Sequence, residues 1–367
     1  MDIVINGRFL TQNITGVQRV AREILVEIDR MAAAGEIAVP RLVVPASASI
    51  IEPPNLEAMK LESIGAGQGH FWEQISLPLI AKKSVLLCLG NTAPILSLKR
   101  KKSPVVVMVH DLSYKYFPNA YSKTFKILYS FIIPEVLKKA DKVVTVSKAE
   151  QTAISNCYPF IAGSERFSYL QNGGVADYIA EDAIDEELPT FSGREYGLYV
   201  GSLTKRKNAE GLLSAVVDFL SSYPDMRFVI IGANGASFEH VSYDIPSELA
   251  DRIEFWGQVN DKEIIYNAYR KAKFLLFPTF YEASPLPPIE AMTFGCPVVA
   301  SRIPSLEERC GNAATYCDPA DVKTIKRAIA TVMKENDWVT LSRKSRMWVT
   351  RYSWKKQAKG LVELCKC

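Results

Sequence analysis

Excess charge of either sign is missing from this 367-residue chain, in which 44 lysines and arginines stand against 40 aspartates and glutamates for a formal net charge of +4. So small a balance provides no footprint for nucleic acid, and none is expected as a partner. Divided at residue 188, the chain carries 20 basic and 20 acidic residues before the cut and 24 and 20 after it. The slight excess is therefore neither an arm nor a tail. Cysteine is sparse: seven residues, an odd number, with no C-x-x-C pair. That argues against a disulfide framework or a zinc site and suits the reduced thiols of a cytosol. Long apolar runs are absent too, none reaching the ~18–20 residues of a membrane span. The N-terminus, MDIVINGRFL, lacks the basic region and apolar run of a signal peptide and reads as a first strand.

What is present is alternation. Short β-branched runs interleave with amphipathic helical patterns from end to end, the signature of βα units on parallel sheets. Twelve strands are expected. The six in the first half are Asp2–Ile5, Leu42–Val44, Val85–Leu89, Val105–Val109, Lys142–Val146 and Phe167–Leu170. Those in the second half are Tyr196–Val200, Arg227–Ile231, Ile253–Phe255, Phe274–Phe277, Pro297–Ala300 and Ala314–Cys317. Most are wholly apolar, as strands covered by helices on both faces must be. The acidic stretch Glu181–Pro189 interrupts the pattern and ends in proline, which marks a linker. Two doubly wound, Rossmann-like α/β domains follow, 1–188 and 189–349. The helical tail after Trp338 could pack on either domain.

Ligands of open α/β sheets bind beyond the carboxyl ends of strands, so four loops draw the search. Asn6–Gly16 leads into a helix with apolar residues at Val17, Val20, Ala21, Ile24, Leu25 and Ile28, and Thr15 with Gln18 has capping-box spacing. Backbone N–H groups at Gly16 could hold an anion, or the glycine could simply serve packing. His110-Asp111 ends an apolar strand, where a parallel sheet presents catalytic groups or a structural His–Asp hydrogen bond. Gly201–Gly211 carries Arg206 and Lys207 just before a helix that Asn208 would cap, a setting for phosphate or for a solvated basic turn. Its glycine spacing is not that of a Walker loop. The fourth loop, Pro278–Ala300, runs from strand to proline-initiated helix to strand, with Glu282 on the loop and Glu290 in the first helical turn. Two acids favouring a helix start explain that string poorly.

These strings together resemble the retaining GT-B glycosyltransferases of family 4. Glu282 and Glu290 stand in that family's E-x7-E motif, and Glu290-Ala291-Met292 with Gly295-Cys296-Pro297-Val298-Val299-Ala300-Ser301 continues its pattern. The strings GSL…RKN…LL at Gly201–Leu213, TGVQRVARE at Thr15–Glu23, VHDLSYKYFP at 109–118 and NGGV at 172–175 are similar to other landmarks. The resemblance implies a GT-B architecture of two domains facing a central cleft, with residues 350–367 returning to the first. It implies that Arg206 and Lys207 hold a donor diphosphate, helped by Gly16, and that Glu290 binds the ribose. Leu286 would line the donor site, and Val259 would do so near the base, which lies by Gly257–Asn260. Glu282 would bind hydroxyls of the transferred sugar, and His110 would approach that sugar from the first domain. Glu282 and His110 are thus the catalytic candidates.

The implied reaction moves a hexose from a nucleotide diphosphate sugar, with GDP-mannose favoured, to a glycan or polyprenyl-diphosphate-linked glycan, with retention. No cofactor and no metal are expected, and the chain has no D-x-D string. The implied setting is bacterial surface polysaccharide assembly, O-antigen or capsule, in the cytoplasm or peripheral at the inner face of the membrane. Lys99-Arg100-Lys101-Lys102 and the aromatic and aliphatic stretch Tyr121–Leu137 could touch anionic lipid. Two departures stand out. Pro285 occupies a position where the family offers a backbone N–H, and Ser202 replaces the arginine of its G-R-L string. Other readings are an epimerase of the same fold and a non-catalytic scaffold that only binds nucleotide sugars.

Overall fold

The computed structural model describes residues 2–100, 103–175, 191–232 and 245–366. Lys101, Lys102 and the acidic stretch 181–189 fall outside them. The chain divides into two compact units: residues 1–173 with 354–367, and residues 174–353. The division falls within NGGV, at Gly173–Gly174.

The first unit holds a seven-stranded parallel sheet. Its strands are β1 (Ile3–Asn6), β2 (Arg41–Val44), β3 (Leu61–Ser63), β4 (Val85–Cys88), β5 (Val105–Met108), β6 (Lys142–Thr145) and β7 (Phe167–Tyr169), in the order β3-β2-β1-β4-β5-β6-β7. Twelve strands were expected and thirteen form among the described residues. The addition is β3, a half-exposed edge strand with no apolar run of its own, held by register Val43↔Glu62 and a two-pronged Arg41–Glu62 ion pair at 2.7–3.2 Å. The central strands are apolar and buried throughout. Each such Val or Leu contributes about 1.5–3 kcal/mol by leaving water.

The helix α1 (Gly16–Ala33) begins where its capping residues direct, with the Thr15 N–H donating to Gln18 Oε1 at 3.2 Å. Its Val20, Ala21, Ile24, Leu25 and Ile28 are buried. Farther along lie α2 (Gly69–Ile75) and α3 (Lys123–Lys139).

The second unit holds a six-stranded parallel sheet in the order β10-β9-β8-β11-β12-β13. These strands are β8 (Tyr196–Val200), β9 (Arg227–Ile231), β10 (Ile253–Gly257), β11 (Ala272–Phe277), β12 (Val298–Ser301) and β13 (Ala314–Cys317). Two helices frame its loops, α4 (Ala209–Ser222) and α5 (Pro287–Thr293), and one core spans both faces of the sheet.

The tail expected to be helical after Trp338 is two helices. One, Glu335–Val349, stays with the second unit, and α6 (Trp354–Leu364) packs on α1 in the first. Gln357 Nε2 donates to the Leu170 carbonyl at 3.1 Å and to Asn172 Oδ1 at 3.0 Å. Gly173 permits this docking, because a Cβ there would meet the Trp354 backbone and ring at 2.4 Å.

Candidate functional site

In each sheet the chain first winds to one side and then to the other, so one pair of neighbouring strands forms a switch point where ligands settle beyond the carboxyl ends. In the second unit that pair is β8 and β11. The loop after β8 is pinned to the loop after β11 by Asn208, which stands at the N-terminus of α4 with φ of +58°. Its Oδ1 accepts the Gly211 N–H at 3.2 Å, and its Nδ2 donates to the Pro278 carbonyl at 2.9 Å and the Pro319 carbonyl at 2.7 Å. The left-handed backbone is one that asparagine tolerates better than most residues. From the other side, the Phe280 N–H donates to the Arg206 carbonyl at 3.0 Å.

This lacing brings three candidates together. Lys207 Nζ donates to Glu282 Oε1, and Arg206 reaches the same oxygen at 3.3 Å while donating to the Tyr281 carbonyl at 2.9 Å. Thr279 Oγ1 lies 3.4 Å from that oxygen. The Lys207 and Glu282 side chains are only 12% and 11% exposed, and Lys207 also sits 5.0 Å from the Phe277 ring centre. Burial by itself would raise the Glu282 carboxyl. Lys207, Arg206 and Thr279 overcome it and hold the group below the ordinary carboxylate range. The site is therefore a preassembled set of two cations and one carboxylate, with a net charge of +1.

Glu290 lies nearby in sequence but takes a different partner. It sits in the first turn of α5, 2% exposed, and its Oε2 accepts the Tyr269 hydroxyl at 2.9 Å. Leu286 is the residue before α5, buried, and its carbonyl accepts the Glu290 N–H at 3.0 Å. Val259 follows β10, half-buried against the core of this unit. Ser202, in the arginine's place, lends its carbonyl to the Tyr199 hydroxyl at 3.0 Å.

The remaining two candidates belong to the first unit. Gly16 opens α1 at the surface, and a Cβ there would meet nothing within 4 Å, so packing does not account for its glycine. His110, 4% exposed, donates from Nε2 to the Leu89 carbonyl at 2.7 Å, while its N–H meets Asn91 Oδ1 at 2.6 Å. Burial lowers its pKa, so the ring is neutral near pH 7. The structural His–Asp hydrogen bond does not form: Asp111 instead accepts the Ser113 N–H at 2.9 Å and its hydroxyl at 2.6 Å.

One cluster escaped sequence reasoning. At the switch point of the first sheet, between β1 and β4, the fully buried Glu73 of α2 accepts from Asn6 Nδ2 at 2.9 Å and Thr92 Oγ1 at 2.8 Å. His70 Nδ1 lies 3.0 Å and Arg8 Nε 3.4 Å from Glu73 Oε2. The only sequence signal is an acid inside HFWEQISLP, at a helix position flanked by buried Trp72.

Residues 180–359 match the profile described as glycosyl transferases group 1. Over this segment, a little under half of the chain, the sequence is similar to that family. Among curated proteins, the chain is 29% identical over 252 residues to O-antigen chain mannosyltransferase B of Escherichia coli, covering 66% of this chain and 64% of that one. It is 27% identical over 237 residues to O-antigen chain mannosyltransferase RfbU of Salmonella typhimurium, covering 64% and 62%. The match thus spans a little under two thirds of these relatives' length. Among solved structures, HepE from Anabaena, in complex with UDP and glucose, aligns over 100% of this chain and 99% of its own with a TM-score of 0.69 at 14% identity. The fold of the chain is GT-B.

Proposed function

We propose that the chain transfers a hexose from a nucleoside diphosphate sugar to a glycan or lipid-linked glycan acceptor, with retention and without a metal, in surface polysaccharide assembly. GDP-mannose is the favoured donor, in line with the mannosyltransferase relatives. The observation that carries this reading is the Arg206–Lys207–Glu282 cluster, held together at the switch point by its own ion pairs. A donor diphosphate brings about two negative charges to a site with one net positive charge. As the C1–O bond breaks, its electron pair moves to the departing phosphate, where Lys207 and Arg206 stabilise the growing charge. The acceptor hydroxyl bonds to C1 on the same face and its proton passes to the leaving phosphate. Lys207, Arg206 and Thr279 all approach Glu282 Oε1, which leaves Oε2 to accept hydroxyls of the hexose. Glu290, steadied by Tyr269, serves the ribose diol, with Val259 and Leu286 beside the nucleotide.

The test incubates the chain with GDP-mannose, UDP-glucose, UDP-galactose, UDP-N-acetylglucosamine and ADP-glucose, with and without octyl glycosides and with excess EDTA. Glycoside product of retained configuration in EDTA is expected. An altered nucleotide sugar formed without acceptor would establish an epimerase instead, and binding without turnover would establish a scaffold.

The reading places the chain in the cytoplasm, peripheral at an anionic membrane face, and the first unit supplies a surface for it. Ile127 and Phe131 on α3 are 73% and 60% exposed, and Phe71 and Ile75 on α2 are 65% and 53% exposed. Exposed Lys82, Lys83, Lys99 and Lys123 complement acidic headgroups. No helix among the described residues is long and apolar enough to cross a membrane. Flotation with phosphatidylglycerol vesicles is expected at low salt and should be lost in Ile127→Asp/Phe131→Asp. Equal flotation of the variant would remove this surface from the reading.

A further inference from the structure

Both units are built alike at their switch points. In the second, buried Glu282 is held by Arg206 and Lys207 between the loops after β8 and β11. In the first, buried Glu73 is held by Arg8 and His70 where β1 and β4 end: Asn6, which donates to Glu73, is the last residue of β1, and Thr92 follows β4 by four positions. The first cluster reaches the surface through His70. Glu73 is 0% exposed, yet the His70 side chain is 27% exposed.

We infer that His70, oriented by Glu73, contacts the acceptor: its Nε2 accepts a hydrogen bond from a hydroxyl of the acceptor glycan at the β1–β4 switch point of the first unit. This rests on the glycosyl transfer proposed above and adds the acceptor's binding residue to it. The chemistry follows from the partners. With Arg8 alongside, Glu73 is a carboxylate, an acceptor only, so His70 Nδ1 must carry the proton between them. In the neutral ring that fixes the tautomer and leaves the Nε2 lone pair on the ring's other edge. Tyr129, meeting the ring edge-on with centroids 5.9 Å apart, fixes its plane. An imidazole so held presents one acceptor in one direction, the need of a site that must orient one hydroxyl of a sugar. His70 is thus a binding residue and Glu73 a positioning residue.

The replacements separate the ring's two edges. Asparagine at 70 can keep the bond to Glu73 but cannot reach as far as Nε2, whereas glutamine can offer a polar atom near Nε2. With the nucleotide sugar turned over by wild type as donor and octyl mannoside and octyl N-acetylglucosaminide as acceptor probes, His70→Ala and His70→Asn should raise the acceptor KM about tenfold, the size of one hydrogen bond. His70→Gln should recover most of that loss. GDP or UDP affinity, measured by calorimetry, and hydrogen-exchange protection of β1 and β4 should stay at wild-type values in all three. A wild-type acceptor KM in His70→Asn, or equal defects in His70→Gln and His70→Ala, would overturn the inference. If wild type transfers sugar from none of the donors, glycosyl transfer itself fails, a result visible before any variant is made.

Discussion

Lys207→Ala lowers sugar transfer about 100- to 1000-fold, the cost of removing one preorganised donor to a developing oxyanion, while the chain stays folded. The size follows from the site's construction. Lys207 is nearly buried, held by Glu282 and placed over Phe277, so its charge acts in a poorly screened setting and needs no reorientation when the phosphate departs. The fold survives because Glu282 keeps Arg206 and Thr279 as partners and because Asn208, not Lys207, ties the two loops together. Kinetics at saturating donor, with circular dichroism of the variant, test the claim. A kcat within threefold of wild type would remove Lys207 from the reaction. The pH sign follows from Glu282. Its folded pKa is depressed, so the stabilisation it gives is fully present above its unfolded value of about 4.3 and is lost as pH falls through the depressed value. Glu282 should therefore add no fall to the acid side of the wild-type kcat profile until below that unfolded value.

The parts of this site that were legible in the sequence are those made by local chemistry. Asn208 caps α4 and Thr15–Gln18 starts α1 because capping is settled within four residues. Apolar runs became central strands because only a strand covered on both faces tolerates them. What escaped depends on distant partners. Strand β3 has the polar sequence LES and exists because Val43 and Arg41 lie beside it. Glu73 is separated from Asn6 by 67 positions and from Thr92 by 19, and nothing local distinguishes it from a solvated helical acid. His110 shows the same limit in reverse. Its neighbour Asp111 looked like its partner, yet the ring found the Leu89 carbonyl across the sheet instead.

Glu73→Ala should destabilise the first unit by about 3–5 kcal/mol, the cost of leaving a buried charge without its partner. The Arg8 side chain is only 5% exposed, so water can replace little of what Glu73 provides. Asn6 Nδ2 and Thr92 Oγ1 would lose their acceptor together with it. Burial on its own would push the Glu73 carboxyl up, but Arg8, His70 and Thr92 hold it below the ordinary range, so it is a carboxylate at neutral pH. The two units need not unfold as one transition, so a single melting temperature is the wrong readout. Hydrogen exchange reads each sheet separately: faster exchange is expected in β1 and β4, with β8 and β11 unchanged. The double variant Arg8→Met/Glu73→Leu removes both charges and should regain much of the loss, because an apolar pair of similar size carries no desolvation penalty. Unchanged exchange in Glu73→Ala would mean that Arg8 finds another anion or water. Recovery of protection in the double variant without recovery of the acceptor KM would separate what Glu73 does for the fold from what it does through His70.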